Sequence, residues 1–229
     1  MVSRGGNFEL GFFTPGNPHK YYLGIWYKKV SKQTVVWVAN RERPVFNTSS
    51  LELKLSEDGN LILVTHSENI IWSSNSMFTA SNLGIAVLHD DGNLVIKDDS
   101  TSHVSWQSFD HPTNTWLPGA KLGYDKFSKE NRFLTSWRNS EDPSPGLFSA
   151  EVNRNGIFHF FLVINRNRPY WPSGIEDMLL FGSAPDIEKF YSFDYVTDVN
   201  TSYSTYFVHD SSVISNYMLD FTGQMKWRV

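Results

Sequence analysis

The stretch from Leu88 to Phe109 reads LHDDGNLVIKDDSTSHVSWQSF, and it repeats an earlier one, LSEDGNLILVTHSENIIWSSN, which runs from Leu55 to Asn75. Asp-Gly-Asn-Leu recurs after 33 residues, and the tryptophans that follow, Trp72 and Trp106, are 34 residues apart. Each copy places turn residues before alternating apolar and polar residues, which predicts a strand, an Asp-Gly turn, a second strand, a polar turn and a third strand. The chain therefore contains a repeated unit of small antiparallel sheets.

A third copy precedes these two, since residues 5–29 read GGNFELGFFTPGNPHKYYLGIWYKK, with Gly-Asn-Phe in place of Gly-Asn-Leu. Three copies predict three sheets in a pseudo-threefold arrangement around Trp26, Trp72 and Trp106. Convincing helical periodicity is missing throughout, apart from a short turn at residues 184–190. We therefore expect an all-β fold.

Composition excludes several classes of partner and site. Aromatic residues make up 15% of the 229 residues and charged residues 19%, which favours a packed, sheet-rich protein over a disordered one. A net charge of −4 without a cluster of Lys and Arg argues against nucleic acid as a partner. The chain has no apolar run of the roughly 18 residues that a membrane segment needs. It also has no cysteine, which excludes disulfides and thiolate metal sites.

The second half of the chain predicts another, less regular β module. Loop-rich stretches at residues 110–125 and 136–146 are dense in Pro, Gly, Ser and Asn, and short apolar runs follow them. AEVNRNGIFHFFLV (residues 150–163) and YMLDFTGQMKWRV (residues 217–229) look like faded versions of the repeat. Their turns, Asn155-Gly156-Ile157 and Thr222-Gly223-Gln224, lack the Asp/Asn pair, so we expect this module to bind protein rather than sugar if it binds a ligand.

Alternation along the predicted strands separates two faces. We expect the leucine sets to lie inside and the asparagine sets to point outward or into a groove. The inward sets are Leu61 with Leu63 and Leu94 with Ile96, and the outward sets are Asn60, Ile62 and Val64, and Asn93, Val95 and Lys97.

Six blocks of sequence, in order, resemble the extracellular region of plant S-domain (G-type lectin) receptor-like kinases and S-locus glycoproteins. They are GNFELGFFTPG, YYLGIWYKK, VVWVANRERPV, DDGNLVIKD, WQSFDHPTNTWLPGAKLG and RFLTSWRNSEDPSPGLFS. The resemblance covers essentially the whole chain. It implies a bulb-type, mannose-binding-like lectin domain of the β-prism II fold at residues 1–123. An S-locus glycoprotein domain, a degenerate β-prism-like module, would follow at residues 124–229.

The chain departs from the family plan at both ends. It begins inside the first lectin repeat without a signal peptide, so we expect an N-terminally truncated lectin domain. It stops before the family's cysteine-rich modules, so we expect the second domain to be incomplete at its C-terminus. The chain contains no kinase motif and is not expected to be an enzyme, although full-length relatives are often receptor Ser/Thr kinases.

Bulb lectins bind mannose through Gln-x-Asp-x-Asn-x-Val-x-Tyr on one strand, where alternate residues share a face. The resemblance places this pattern in the third repeat on His89, Asp91, Asn93, Val95 and Lys97, where Asp, Asn and Val are retained. These five residues are the candidate carbohydrate site. Asp-Gly-Asn is also good turn chemistry without any ligand, since Gly adopts positive φ and Asp or Asn bonds its own backbone.

The second repeat is a weaker candidate, with Asp58 and Asn60 retained, Ile62 in the place of valine, and both end positions lost. The first repeat, at Ser3, Gly5, Asn7, Glu9 and Gly11, keeps only the asparagine.

Other chemistry is less well supported. Seven histidines are scattered without metal-ligand spacing, and Asp110-His111 near Ser105 and Ser108 lacks a nucleophile elbow, so we expect no catalytic residues, no metal and no cofactor. Two sequons, Asn47-Thr48-Ser49 and Asn200-Thr201-Ser202, are candidate glycosylation sites.

We therefore expect an extracellular recognition module at the plant cell surface, acting in pollen recognition or defence signalling mainly through protein contacts. The expected partners are a protein or peptide ligand, a co-receptor or a second copy of the chain in a homodimer. The alternative is a working lectin that binds a mannose-type glycan through the third repeat.

Overall fold

A computed structural model describes residues 1–16, 19–49, 51–76, 84–152, 160–172, 187–210 and 212–229. The described residues form small sheets of three or four strands with little helix, which confirms the all-β prediction. The chain divides into two compact units. Unit 1 comprises residues 1–111 and 141–144, and unit 2 comprises residues 112–140 and 145–229.

Unit 1 contains three antiparallel sheets of three strands each, in the orders β1-β2-β3, β4-β5-β6 and β7-β8-β9. The strands are β1 (Phe8–Phe13), β2 (Tyr22–Tyr27), β3 (Val35–Val38), β4 (Leu51–Leu55), β5 (Leu61–Thr65), β6 (Ile70–Ser73), β7 (Gly84–Leu88), β8 (Leu94–Asp98) and β9 (Val104–Gln107). A short 3₁₀ helix, Ser108–Asp110, follows β9. Three repeated sheets agree with the prediction from the repeat and with the β-prism II fold that the resemblance implies.

The three sheets share one construction. In each, the middle strand is the most buried, because it is paired on both edges and packs its apolar residues inward. The pairing of the middle with the third strand shifts register at the same place in each sheet, next to Ile25, Leu63 and Ile96. A shift that recurs at equivalent positions of all three sheets is a β-bulge built into the repeated unit, and it bends the third strand.

One tryptophan from the third strand of each sheet meets at the centre of unit 1. Trp37, Trp72 and Trp106 lie with ring centroids 5.8–6.0 Å apart and interplanar angles of 70–79°. Edge-to-face contacts at this distance are a favourable aromatic arrangement. The three sheets therefore meet at a shared aromatic centre.

The predicted place of Trp26 in that centre is wrong. Trp37, not Trp26, is the partner of Trp72 and Trp106, because Trp37 pairs with Ile25 across β2 and β3. Trp26 is the next residue along β2, so its side chain lies on the other face of the strand. There its ring covers Gly11.

Unit 2 is built from two sheets of four strands and one of three, in the orders β12-β11-β18-β17, β13-β14-β15-β16 and β10-β19-β20. The strands are β10 (Thr115–Trp116), β11 (Leu122–Asp125), β12 (Asn131–Arg132), β13 (Leu134–Asn139), β14 (Asp142–Val152), β15 (Phe160–Ile164), β16 (Arg168–Pro172), β17 (Tyr191–Thr197), β18 (Thr201–Val208), β19 (Asn216–Leu219) and β20 (Met225–Arg228), and one helical turn, α1 (Ile187–Phe190), precedes β17. The first three residues of β14 belong to unit 1.

The core of unit 2 is an aromatic cluster around Trp116, which is 1% exposed. The rings of Tyr206, Phe160 and Tyr217 lie 4.8, 5.2 and 5.9 Å from it. Two polar atoms of the cluster are hydrogen-bonded, because Trp116 Nε1 donates to the Ala120 carbonyl and Tyr206 Oη donates to the Trp116 carbonyl. Unit 2 therefore folds around a core of its own.

Candidate functional site

The hairpin turn between β7 and β8, residues His89–Asn93, carries the strongest candidate site. His89 N donates to the Asn93 carbonyl at 2.9 Å, and Gly92 N donates to the His89 carbonyl at 3.1 Å. Gly92 has φ of +89°, which a residue with a side chain rarely adopts. Asp91 Oδ1 accepts the Asn93 N–H at 2.9 Å, so the side chain of Asp91 also closes the turn. The predicted Asp-Gly turn is confirmed.

Asn93 does not point outward as the alternation predicted. It is 6% exposed, and its Oδ1 accepts hydrogen bonds from Ser108 Oγ and Phe109 N, both at 3.2 Å. Its Nδ2 donates to Gln107 Oε1 at 2.9 Å. The outward orientation is wrong for Val95 too, which is 2% exposed, because β8 is covered on both faces. Asn93 therefore ties the turn to the segment after β9.

The other three members of the candidate site remain accessible. His89 and Asp91 are exposed and Lys97 is partly exposed. Asp91 Oδ2 has no hydrogen-bond partner among the described residues, so it is a free carboxylate acceptor. The neighbouring Asp90 has another function, because its carboxylate accepts the Gly5 N–H at 2.7 and 2.8 Å. The Ser3 hydroxyl contributes most to holding the pKa of Asp90 below its usual value.

The second turn, residues 56–60, has the same backbone but uses its polar groups internally. The Asp58 carboxylate accepts from the Ser56 hydroxyl and, at 3.0 Å, from Asn60 Nδ2. These bonds, the one from Ser56 first, lower the pKa of Asp58. Asn60 Oδ1 accepts from Ser74 Oγ at 3.0 Å and from Ser76 N at 2.6 Å. Ile62 is buried, so this turn offers fewer accessible groups to a ligand than the third turn does.

The same turn occurs once more, in unit 2, between β19 and β20. Asp220 N donates to the Gln224 carbonyl at 2.9 Å, Gly223 N donates to the Asp220 carbonyl at 3.1 Å, and Gly223 has φ of +86°. The suggested relationship of residues 217–229 to the repeat is therefore supported at the level of backbone geometry. The turn around Asn155-Gly156-Ile157 lies outside the described residues.

One residue near the third turn, Gln107, was not singled out from the sequence. Gln107 is partly exposed and links Asn93 to Asp110, because its Nε2 donates to Asp110 Oδ2 at 3.0 Å. Gln107 thus joins Asn93 and Asp110 in one hydrogen-bonded chain beside the turn. The signal available was the repeat itself, since Gln107 follows the recurring Trp106 directly.

The serines near His111 are structural. Ser108 Oγ is buried and bonds the Leu94 N–H and the Asn93 amide oxygen, and Ser105 Oγ donates to the Ile96 carbonyl. The imidazole of His111 stacks on Trp106 with ring centroids 5.3 Å apart. Both serine hydroxyls are therefore engaged in hydrogen bonds within the fold.

Both sequon asparagines are exposed. Asn47 Oδ1 accepts from the backbone N–H and the hydroxyl of Ser49. Within the described ranges, His, Asp and Glu side chains form no group of three that could hold a metal ion. In the same residues, no helix has the length and apolarity needed to cross a membrane.

Comparisons with known proteins identify similar chains. Residues 34–138 match the family described as D-mannose binding lectin. The chain is 40% identical over 235 residues to a G-type lectin S-receptor-like serine/threonine-protein kinase of Arabidopsis thaliana, covering 99% of this chain and 28% of the relative. It is 47% identical over 166 residues to an S-locus-specific glycoprotein of Brassica oleracea, covering 71% of this chain and 38% of the relative.

The chain thus spans between a quarter and two fifths of the length of these relatives. A solved two-domain lectin, the fetuin-binding agglutinin of Scilla campanulata, is similar at 12% identity and a TM-score of 0.27 over 93% of this chain and 92% of that one. At that TM-score the likeness has no bearing on the site.

Proposed function

Because residues 34–138 match the D-mannose binding lectin family, we propose that this chain is an extracellular recognition module that acts at the plant cell surface mainly through protein contacts. Its relatives are G-type lectin S-receptor-like kinases and an S-locus glycoprotein. The process we propose is pollen recognition or defence signalling, with a protein or peptide ligand, a co-receptor or a second copy of the chain as partner. The kinase activity named for the relatives belongs to those proteins, and we assign no catalysis to this chain.

The domain boundaries we propose are those that the family resemblance implies. Residues 1–123 would be the bulb-type lectin domain and residues 124–229 the S-locus glycoprotein domain. The aromatic centre of Trp37, Trp72 and Trp106 supports a separately packed first domain. Trp116 itself packs with Tyr206 in unit 2, which begins at residue 112.

The internal hydrogen bonding of Asn93 is the observation that favours protein contacts over sugar binding. A sugar site of the bulb-lectin type needs the asparagine amide and the valine on an open face. Here three internal hydrogen bonds use the Asn93 amide, and Val95 is 2% exposed. Each neutral hydrogen bond to a sugar adds only about 0.5–1.5 kcal/mol, so a site that lacks these members has little affinity left.

Mannose binding through the third turn is the second candidate function. Asp91 favours it, because one of its carboxylate oxygens is free and exposed. His89 and Lys97 would supply further hydrogen-bond donors, and Asp58, Asn60 and Ile62 would form a weaker second site. Since the accessible groups are few, such binding would depend on several sites acting together.

Titration of the wild type and two variants with a mannoside separates these functions. Isothermal titration of the secreted chain with methyl α-mannoside should give a dissociation constant no tighter than about 1 mM, near −4 kcal/mol. Asp91→Ala and the matched control Asp58→Ala should behave like the wild type. A tenfold tighter constant that is lost in Asp91→Ala alone would make the lectin function correct and the protein-contact proposal wrong.

Protein contacts are tested with partners whose glycans have been removed. The chain is presented to plasma-membrane proteins before and after enzymatic deglycosylation, with and without excess mannose. We expect binding to survive both treatments. Loss of binding after deglycosylation would show recognition of sugar.

A further inference from the structure

Two neighbouring hairpins of unit 2 end in large apolar side chains that face solvent. The hairpin of β11 and β12 carries Phe127, which is 91% exposed, and the hairpin of β17 and β18 carries Val199, which is 87% exposed. They are the two most exposed large apolar side chains in the described part of the chain. We call Phe127, Val199 and the adjacent Asn200 the hairpin-tip surface. Exposed apolar groups gathered at one place usually have a partner.

The two tips are fixed side by side by backbone pairing. β11 pairs with β18 up to Asp125 and Thr201, and Lys126 N then donates to the Asn200 carbonyl at 2.7 Å. The ammonium of Lys126 donates to the Asp198 carbonyl of the other tip. Phe127 therefore follows directly on a residue that is bonded to Asn200.

Each tip is also ordered by an aspartate of its own. Asp125 Oδ1 accepts the N–H groups of Phe127 and Ser128 at 2.8 and 2.9 Å, and Asp198 Oδ1 accepts those of Asn200 and Thr201 at 2.7 and 2.8 Å. Such side-chain bonds to the following backbone are a stable turn arrangement. The apolar side chains are therefore presented on ordered turns, not on a loose loop.

Asn200 is the one member of this surface that can carry a covalent partner. It begins the sequon Asn200-Thr201-Ser202, it is exposed, and its side-chain amide has no partner among the described residues. The sequon hydroxyl of Ser202 is 1% exposed and bonds Thr197 Oγ1 at 2.8 Å. Glycosylation of Asn200 would therefore precede folding. Of Asn200 and Ser202, only the Asn200 amide would remain exposed to solvent in the folded chain.

We propose that Asn200 carries an N-linked glycan whose first N-acetylglucosamine covers Phe127 and Val199. This rests on the extracellular setting proposed above. In the modification, the Asn200 amide nitrogen displaces the diphosphate from the anomeric carbon of a lipid-diphosphate oligosaccharide and loses a proton as the N-glycosidic bond forms. The sugar's acetamido methyl and C–H groups then pack on the apolar side chains, and its hydroxyls face water.

The test uses the full chain secreted from a eukaryotic host, with mass spectrometry of the peptide that contains Asn200. We expect this asparagine to be occupied. Asn200→Gln should raise the binding of an apolar fluorescent dye about twofold, because the surface is uncovered. Phe127→Ser added to Asn200→Gln should return dye binding to the wild-type value. The control Phe221→Ser, at another hairpin tip of unit 2, should not.

Partial deglycosylation of the folded protein locates the covering sugar. An endoglycosidase that leaves one N-acetylglucosamine should keep dye binding low, and complete removal by an amidase should raise it. An unoccupied Asn200, or a rise in dye binding that Phe127→Ser does not reverse, would overturn the proposal. Neither result bears on the mannoside titration, which concerns Asp91 in unit 1, so the two proposals fail separately.

Discussion

Asn93→Ala distinguishes a structural asparagine from a ligand-binding one. The substitution removes two hydrogen bonds accepted by Oδ1, from Ser108 Oγ and Phe109 N, and one donated by Nδ2 to Gln107. At about 1 kcal/mol net for each bond, the free energy of unfolding should fall by about 3 kcal/mol. The side chain is 6% exposed, so water cannot replace these partners freely.

The control is Asp91→Ala, on the same turn. Asp91 is exposed and makes one bond, to the Asn93 N–H, so its removal should cost at most about 1 kcal/mol. Both variants are compared with the wild type by urea unfolding followed through tryptophan emission. If the free energy of unfolding of Asn93→Ala lies within about 1 kcal/mol of the wild-type value and no lower than that of Asp91→Ala, the internal use of Asn93 is wrong.

Three further substitutions test other parts of the structure. Burial raises the pKa of Asp220, but the Lys226 ion pair at 2.6 Å and the turn hydrogen bonds lower it more, to about 2. The ionised carboxylate therefore stabilises the fold above its unfolded pKa near 3.8, so Asp220→Asn should cost about 2 kcal/mol at pH 7. The difference in unfolding free energy between the wild type and Asp220→Asn should vanish as the pH falls from about 4 to 2. A difference that stays constant with pH in urea unfolding would contradict this prediction. Gly92→Ala should cost about 1 kcal/mol or more in thermal unfolding because of its φ of +89°, whereas Gly84→Ala, with open space around it, should not. Trp106→Ala should cost about 3–5 kcal/mol and reduce near-ultraviolet circular dichroism, and a smaller loss would show that the aromatic centre is not tightly packed.

The repeat predicted the local structure of the second and third sheets well, because its signals act over a few residues. Asp-Gly turns and alternating strands follow from local backbone preferences, and Gly59 and Gly92 both have positive φ. The first sheet was misjudged for a physical reason. Residues 3–7 form a similar turn, with Gly6 N bonded to the Ser3 carbonyl, but it precedes β1 and does not join β1 to β2. The tryptophan equivalent to Trp106 is therefore Trp37.

The candidate site was harder to predict. Alternation assigns residues to the two faces of a strand, but it does not show what packs against each face. Asn93 and Val95 share a face, as expected, yet that face of β8 is buried. What covers it depends on tertiary packing and on the hydrogen bonds that Asn93 donates to Gln107 and accepts from Ser108 and Phe109. Whether the accessible Asp91, His89 and Lys97 bind sugar stays a prediction.

The aromatic centre of unit 1 has a consequence for how that unit unfolds. In a linear array of repeats, each repeat contacts only its neighbours, so a terminal one can detach alone. Trp37, Trp72 and Trp106 each contact both others, so the three repeats form a closed ring without a terminal member. Detachment of any sheet would uncover the indoles of the remaining two. A repetitive sequence is thereby converted into a single cooperative domain.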